Sequence, residues 1–324
     1  MNKQIFKAQV GAVNRYKLSV YKAETGELVR ESGWSENLIP TRGLELCLSG
    51  GVHTNSNLRC LIGTGSNPPA MSDTALQNKF AQTEGTIPFS IARQWQTSVA
   101  PYWYKATAVY RFAAGTFNNT NITEVGSEQY YSAGALFSRA LVLDANGNPA
   151  AVTILADEYL DVTVDKYLIF PETSGSFNQL IDGVPTAFGY TIRPLGMNSA
   201  NWGDNANFTA PLIQPAAAEN QNYSVGYSGA AFNVPTSSVM VGTQNGRFGS
   251  TTGSPAYVPG SLKRKIRFNM GLSQGNAAGG INGMHFDVSC FQWQMLLDKP
   301  VPKVATKTYY IEFEITMANA AVPE

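Results

Sequence analysis

Residues 98–170 contain strand-like segments with no helical pattern between them, and this feature constrains the fold most. The segments are dense in Val, Thr, Tyr and Phe, which favour β structure. In sequence order they are YWYKATAVYRF, NITEVGSE, LFSRALVL, AVTILA and YLDVTVDKYLIF. Strands joined by short turns, without helical crossovers, are typical of antiparallel sheets packed face to face. The sequence therefore predicts a mainly β fold: an antiparallel, jelly-roll-like β-sandwich.

One of the turns, DANGN at 144–148, can be interpreted in two ways. Asp144, Asn146 and Asn148 occupy positions 1, 3 and 5 of a calcium-binding loop. Such a loop continues with Gly at position 6 and Glu at position 12, where this chain has Pro149 and Leu155. Asn-Gly between two apolar runs is instead a strong hairpin signal, because both residues tolerate positive φ. The segment is therefore predicted to turn the chain.

The first part of the chain predicts a hairpin followed by two short helices. Strand-like alternation around residues 16–20 precedes a Glu-Thr-Gly-Glu turn and a returning LVRES segment. The segments 40–51 and 72–83 then show helical spacing, each with a residue able to cap a helix N terminus. Helices this short are unstable alone, so both are expected to lie on a sheet.

The composition changes near residue 171. From there to 283, Gly, Ala, Asn, Ser, Thr and Pro dominate and charges are sparse. The stretch also holds aromatic residues, too many for a solvated coil: Trp202, Phe208, Tyr223, Tyr227, Phe232 and Phe248. We expect a loop-rich insertion at 171–283, packed on the sandwich or on a neighbouring subunit. Residues 1–170 and 284–324 are predicted to form the sandwich, because the alternating segment TYYIEFEITM requires a sheet.

The charge balance bounds the possible partners. Charged residues make up 14% of the chain, and Lys+Arg and Asp+Glu balance at 23 each. Zero net charge argues against attraction to nucleic acid or anionic membranes, and it suits permanent assembly. No apolar run approaches the ~20 residues that span a bilayer, and the first residues lack the apolar core of a secretory signal. We expect a protein folded in a cytoplasm, with no nucleic-acid partner and no membrane insertion.

The densest acidic group comprises Asp157, Glu158, Asp161 and Asp165. Paired carboxylates perform glycoside hydrolysis, so this group is the candidate site of a depolymerase. Because Asp161 and Asp165 share one strand face, a solvated face or an interface is the simpler interpretation. The basic run LKRKIRF at 262–268 could contact phosphates, but a polar strand face explains it better.

Histidines and cysteines complete no known motif. His285 and Cys290 lie at an odd spacing, which places them on opposite faces of a strand, and His53 is far from both in sequence. Cys47, Cys60 and Cys290 fit no zinc spacing and are expected to be buried thiols. The sequence thus predicts no catalytic residues, no cofactor and no metal ligands, and therefore no enzyme.

Four segments outside 171–283 carry a resemblance. They are YKLSVYKAETGELVRESGWSENLIPTRGLE, IGTGSNPPAMSDTALQNKFAQT, NITEVGSE with LFSRALVLDANGNPAAVTILADEYLDVTV, and FQWQMLLDKPVPKVATKTYYIEFEIT. Together these segments resemble a family of tailed-bacteriophage virion proteins, found among tail, baseplate and fibre components. The resemblance implies a β-rich, non-enzymatic protein that assembles in symmetric copies.

From this resemblance we expect a structural component of a tailed phage virion, in the tail or baseplate, or as a short tail fibre or fibre-attachment subunit. A host-surface carbohydrate-binding receptor module and a head decoration or collar fibre protein are the alternatives. The expected partners are further copies of the chain, as a homotrimer, other virion proteins and, for a receptor, host polysaccharide. Trp202, Tyr223, Tyr227 and Phe248 are the candidate contacts, because isolated aromatic residues often anchor interfaces.

Overall fold

A computed structural model describes residues 3–48, 58–84, 92–129, 134–197, 223–249, 256–288 and 291–324. In these residues there is one helix, α1 (Thr41–Leu48). The strands are β1 (Lys3–Lys22), β2 (Leu28–Glu31), β3 (Ser35–Glu36), β4 (Leu58–Gly63), β5 (Lys79–Thr83), β6 (Ala92–Gln96), β7 (Tyr102–Phe112), β8 (Thr120–Ile122), β9 (Glu124–Gln129), β10 (Ala135–Leu141), β11 (Val152–Ile154), β12 (Glu158–Phe170), β13 (Thr173–Ile181), β14 (Val184–Leu195), β15 (Tyr223–Ala231), β16 (Val241–Gly249), β17 (Lys263–Met270), β18 (Ile281–Val288), β19 (Phe291–Val301) and β20 (Tyr309–Asn319).

The strands form one large sheet and three smaller ones. The large sheet has the order β17-β20-β1-β12-β7-β6, with β2 and β3 also paired to β1. A six-stranded sheet has the order β13-β14-β19-β18-β15-β16, and a four-stranded sheet the order β10-β9-β4-β5. The strands β8 and β11 pair as a separate ribbon. The pairs are antiparallel except for β1 and β20, which run parallel. The mainly β, largely antiparallel fold predicted from the sequence is confirmed.

One face of the large sheet covers two apolar clusters that lie side by side. Even-numbered residues of β1 point inward, so Phe6 and Val10 enter the first cluster, and Tyr16 and Leu18 enter the second. The first cluster packs against the six-stranded sheet and α1, where Phe286 stacks on Phe313 of β20 with ring centroids 4.5 Å apart. The second cluster packs against the four-stranded sheet. The long strand β1 therefore belongs to two sandwiches at once.

A polar layer separates the two clusters. Asn14 and Lys166 are neighbours across β1 and β12, and both side chains are about 1% exposed. The Tyr16 hydroxyl donates to Ser127 Oγ at 3.2 Å, and the Asn14 amide donates to Ser138 Oγ at 3.1 Å. Burial lowers the pKa of Lys166 to about 8. Buried hydrogen bonds of this kind help to fix the register of the sheets that they join.

The first predicted helix is confirmed as α1, but the helix predicted over 72–83 is wrong. The segment 72–78 is a turn, and Lys79 begins strand β5. The amides of Gln77 and Asn78 donate to the Glu124 carboxylate at 3.0 and 2.7 Å. A buried carboxylate that accepts these N–H groups offers the backbone a stronger partner than a helical turn does.

Glu124 in turn belongs to a buried ion-pair group, here called the Arg139 clamp, which comprises Arg139, Glu124 and Asp73. Arg139 is 3% exposed and donates from Nε to Glu124 at 2.9 Å. Its other nitrogens donate to Asp73 at 2.7 Å and to the Asn67 carbonyl at 2.9 Å. The clamp ties the 63–78 loop to strands β9 and β10.

The predicted turn at 144–148 is also confirmed. Asp144 Oδ1 accepts the amides of Asn146 and Asn148 at 2.8 and 2.9 Å, and Gly147 adopts a φ of 82°. The carboxylate oxygens that a calcium ion would need are thus directed at the turn's own backbone. These backbone hydrogen bonds hold the pKa of Asp144 below its usual value.

The described residues of 171–283 contain more strand than their composition predicts. They supply β13 to β17 and the start of β18, and all but β17 join the six-stranded sheet. The closing residues divide between sheets. Strand β19 pairs with β14 and β18, whereas β20 pairs with β1, in a register from Lys3↔Tyr310 to Ala12↔Asn319. Residues 284–324 therefore do not act as one unit with 1–170: β20 pairs with β1, whereas β19 joins strands from 171–283.

Candidate functional site

A group of polar and aromatic side chains lies on the outer face of the six-stranded sheet, opposite the first apolar cluster. We call it the Tyr223 cluster, and it comprises Tyr223, Arg247, His285, Asp287 and Gln292. Tyr223, Asp287 and Gln292 are cross-strand partners in one row over β15, β18 and β19. His285 lies two residues before Asp287 in β18, so strand alternation places both side chains on this face. The sheet therefore brings together residues that lie far apart in sequence.

The cluster is held together by directional contacts. The Arg247 guanidinium lies 3.6 Å from the centroid of the Tyr223 ring, and the His285 ring meets Tyr223 edge-on at 5.8 Å. Gln292 Nε2 donates to Asp287 Oδ2 at 3.0 Å, and the Tyr223 hydroxyl also hydrogen-bonds Asp287. Arg247 is exposed, whereas His285 is only 2% exposed. The group thus extends from the solvent into the protein.

Burial shifts the pKa values of the three ionisable groups beneath Arg247, which are Tyr223, Asp287 and His285. It raises the pKa of Tyr223 to about 12, with the Asp287 charge acting in the same direction. Burial raises the pKa of Asp287 too, against the opposing effects of its hydrogen bonds and of Arg247. Burial lowers the pKa of His285 to about 4, and the Arg247 charge adds to this. Groups with several perturbed pKa values concentrate at functional sites.

The His285 ring has no nucleophile beside it among the described residues. His285 is neutral near pH 7, and its buried Nε2 has no hydrogen-bond partner among the described residues. Within the same residues, no Ser, Thr or Cys side chain hydrogen-bonds the His285 ring; Ser224 donates instead to the His285 carbonyl at 2.8 Å. An aromatic ring, a guanidinium, a carboxylate and an amide are the groups that recognise sugars and other polar ligands.

The four aromatic residues predicted from the sequence to form contacts lie in different environments. Tyr223 belongs to the cluster, and Trp202 lies outside the described residues. Tyr227 and Phe248 are each 1% exposed. Tyr227 packs in a small apolar cluster and accepts a hydrogen bond from Gln244, and Phe248 lies in the first apolar cluster on the opposite face of the sheet. These two side chains are core residues, so their predicted role as glycan or subunit contacts is corrected.

Arg247, Asp287 and Gln292 are not predicted as site residues from the sequence. Only alternation could have indicated them, because His285 and Asp287 are two residues apart in a strand pattern. The partner of His285 that we considered from sequence, Cys290, lies outside the described residues, as does His53. Cys47 and Cys60 are free and buried, as predicted, and burial raises the pKa of both thiols.

The acidic group on β12 forms ion pairs instead of a catalytic pair. Arg111 donates to both oxygens of Asp161, at 2.8 and 2.7 Å. Arg15 donates twice to Asp165 Oδ2, at 2.9 and 2.8 Å, and Thr107 donates to the other oxygen. The geometry therefore favours the strand-face interpretation of these residues.

The other two members of the acidic group are bound in the same manner. Lys22 contacts Asp157 at 2.9 Å, and Arg30 and Lys22 both contact Glu158. The hydrogen bond from Lys22 lowers the pKa of Asp157. Burial acts to raise the pKa of Glu158, but hydrogen bonds from Arg30 and the Leu155 amide outweigh it and lower that pKa. A glycosidase acid needs a raised pKa, so neither residue suits that role.

The basic run at 262–268 is a strand face. Lys265 pairs with Glu314 at 3.1 Å, and Arg267 pairs with Glu312 at 2.7 Å, across the β17–β20 ladder. Cross-strand partners of opposite charge stabilise a sheet. The interpretation of this run as a polar strand face is confirmed.

Comparisons with known proteins return no match: no family model, no curated protein and no solved structure is similar to this chain. In the part of the chain that the structure describes, no helix has the length and apolar character needed to cross a membrane. The same residues contain no group of three or more His, Cys, Asp or Glu side chains placed to hold a metal ion.

Proposed function

We propose that this chain is a non-enzymatic structural component of a tailed phage virion, in the tail or baseplate, or as a short tail fibre or fibre-attachment subunit. The observation that carries the proposal is the Arg139 clamp. Asp73 belongs to the IGTG-to-DTAL segment, Glu124 to NITEVGSE and Arg139 to LFSRALVL. Three segments that resemble the virion family thus meet at the two ion pairs of the buried Arg139.

The clamp supports a structural role because the carboxylate of Glu124 is occupied by the fold itself. Glu124 is 0% exposed and accepts hydrogen bonds from Arg139 and from the amides of Gly65, Gln77 and Asn78. The fold itself therefore supplies all four hydrogen bonds that this carboxylate accepts. The resemblance therefore rests on residues that shape a loop, as expected of an assembly protein.

The expected assembly as a homotrimer has a candidate surface beside strand β16. Val234, Val239 and Val241 are each more than 40% exposed. Val234 and Val239 lie in a loop closed by Asn233, which donates to the Val239 carbonyl at 3.0 Å, and Val241 begins strand β16. Strand β16 lies at one end of the six-stranded sheet. Exposed apolar residues next to a sheet edge are typical of protein–protein contacts.

Light scattering on the purified chain tests this surface. We expect a trimer for the wild-type chain and a shift toward monomer for Val234→Asp and Val241→Asp. Val258→Asp is the matched control, because Val258 is exposed to a similar degree but lies outside this loop. A wild-type monomer at high concentration, or an equal effect of the control, contradicts the assembly.

The virion proposal itself is tested on particles. Mass spectrometry of purified particles should detect the chain at a fixed copy number that is a multiple of three, and immunogold labelling should place it at the tail. Labelling at the head or collar would favour the alternative of a decoration or collar fibre protein. Particles that contain no copy of the chain would refute both.

The Tyr223 cluster favours a second candidate function, host-surface carbohydrate binding. Tyr223 offers an aromatic surface beside a carboxylate and two amide or guanidinium groups, although Arg247 already covers one face of its ring. Incubation with host polysaccharide separates the possibilities. Saturable binding that Tyr223→Ala abolishes supports a receptor, and release of reducing ends would indicate a depolymerase. If neither binding nor cleavage is observed, only the structural role is supported.

A further inference from the structure

Arg247, the exposed member of the Tyr223 cluster, lacks a counter-ion in the described part of the chain. Its guanidinium forms no ion pair and donates no hydrogen bond to any residue there, and it lies flat against the Tyr223 ring. Other described arginines pair with carboxylates: Arg15, Arg30, Arg111, Arg193 and Arg267. A guanidinium binds a planar carboxylate through two parallel N–H groups. Arg247 is therefore available to a carboxylate from outside the chain.

The cluster's own carboxylate is held by other groups. Asp287 accepts a hydrogen bond from Gln292 Nε2 at 3.0 Å and is also hydrogen-bonded by the Tyr223 hydroxyl. The Arg247 charge opposes the rise in the pKa of Asp287, but no hydrogen bond or ion pair joins these two side chains. The cluster thus presents a charged donor that its own acid does not satisfy.

Two buried polar atoms of the cluster also lack partners among the described residues. They are Gln292 Oε1 and His285 Nε2. Both side chains contact the Tyr223–Asp287 pair, Gln292 through its hydrogen bond and His285 through its edge-on ring contact. Buried polar atoms are normally paired, so these two indicate a missing partner that carries hydrogen-bonding groups. Because no ion pair fixes Arg247 over the Tyr223 ring, its side chain can turn outward and uncover the ring.

We propose that the Tyr223 cluster binds an acidic sugar of the uronic-acid type. The sugar carboxylate pairs with Arg247, and the C–H face of the sugar stacks on the uncovered Tyr223 ring. Sugar hydroxyls then bond Gln292 and His285. A neutral sugar would leave Arg247 unpaired, and an anion without a ring would leave Tyr223 uncovered. The inference rests on the second candidate function, carbohydrate binding, and specifies its ligand; it is independent of the virion function.

Isothermal titration of the full chain with trisaccharides of galacturonate, glucuronate and mannuronate, and with their methyl esters, tests the inference. The esters keep the ring and its hydroxyls and remove only the charge. We expect at least one of the acids to bind saturably and about tenfold tighter than its ester, because esterification removes the charge-assisted pair. Acetate, a carboxylate without a sugar ring, should not compete at the same concentration.

Arg247→Gln should abolish this preference. Its affinity for the acid should fall by about tenfold, to that of the ester, and its affinity for the ester should be unchanged, which also shows that the variant is folded. Arg193→Gln is the matched control. Arg193 lies on the same sheet with its guanidinium 4.2 Å from the centroid of the Phe232 ring, but it pairs with Glu172. The acid affinity of this variant should equal that of the wild-type chain.

The outcomes separate this inference from the function on which it rests. Equal binding of acids and esters by the wild-type chain, or an equal loss in the two arginine variants, would overturn the inference and leave carbohydrate binding intact. Absence of saturable binding by every acid would also overturn it. If the esters and host polysaccharide fail to bind as well, the receptor function is overturned with it.

Discussion

Arg139 and Lys303 are both buried cations, yet their surroundings differ. Arg139 is 3% exposed and contacts two carboxylates, whereas Lys303 is 2% exposed and contacts only neutral oxygens. Removing a charge from water is costly, and a carboxylate partner offsets that cost better than dipoles do. Arg139 is therefore compensated by charge, whereas Lys303 is compensated only by hydrogen bonds to neutral oxygens.

The same difference separates the two sandwiches. On the side of the four-stranded sheet, buried Glu124 is paired with Arg139, and Glu128 contacts Lys79 at 3.2 Å. On the side of the six-stranded sheet, burial shifts the pKa values of His285 and Lys303 downward, away from their charged forms. Buried charge is thus paired beside the four-stranded sheet at Glu124, whereas His285 and Lys303 on the other side have no carboxylate ion pair among the described residues.

The largest effect is expected from Arg139→Met. The variant leaves Glu124 buried without its cation, and breaking a buried pair in this way costs ~3–5 kcal/mol. The free energy of unfolding should fall by about this amount in urea denaturation.

The double variant Arg139→Met/Glu124→Gln is the control. It removes both charges, so it should recover part of the loss, because the amide side chain can still bond the loop backbone. A loss below ~1 kcal/mol in the single variant would show that the clamp does not hold the fold.

The second effect concerns His285 and depends on pH. Its folded pKa of about 4 lies below its usual 6.5, so between these values the unfolded chain binds more protons. Stability should therefore fall as the pH decreases from ~6.5 to 4, by on the order of 1–3 kcal/mol. Asp287 has a raised pKa and acts in the opposite direction at the acidic end.

The variant His285→Gln removes this titration, so its stability should change less than that of the wild-type chain between pH 7 and 4.5. Urea unfolding at these two pH values measures the difference. Identical pH profiles for the two chains would mean that His285 is not the titrating group.

The sequence predicted much of this architecture because the signals were local. Alternation in TYYIEFEITM identified β20, and Asn-Gly identified the turn at 144–148, since each depends on a few adjacent residues. The helix predicted over 72–83 failed because Glu124, distant in sequence, accepts the amides of Gln77 and Asn78. No local pattern encodes that contact.

The candidate sites were less predictable for the same reason. Tyr223, Arg247 and Asp287 come together only through the order of β16, β15 and β18 in the sheet. Composition also predicts too little strand over 171–283. Gly and Ser are common there, but Tyr227 and Phe248 are core residues that strand pairing buries. Small residues beside large ones suit a tightly packed sheet as well as a loop.

A smaller change in the free energy of unfolding, toward higher stability, is expected from Lys303→Met. Methionine has a similar length and needs no counter-charge, so it replaces a buried cation that lacks an anion. The free energy of unfolding should be unchanged or raised, within about 1 kcal/mol. Urea denaturation beside Arg139→Met gives the comparison directly. A loss comparable to that of Arg139→Met would show that the neutral oxygens compensate Lys303 fully and would remove the difference between the two cations.

The smallest effect is expected from Lys17→Met, which removes an exposed pair on the large sheet. Lys17 contacts Glu31 at 2.8 Å, with side chains 29% and 37% exposed, so water and salt screen the interaction. The hydrogen bond from Lys17 lowers the pKa of Glu31, and the pair's contribution is therefore present at neutral pH and lost as the pH falls through that lowered pKa. We expect a loss of at most about 0.5 kcal/mol in low salt and none at 1 M salt. A larger loss that persists in salt would mean that exposed ion pairs stabilise this sheet as strongly as the buried Arg139 clamp does. The difference in stability between buried and exposed pairs would then disappear.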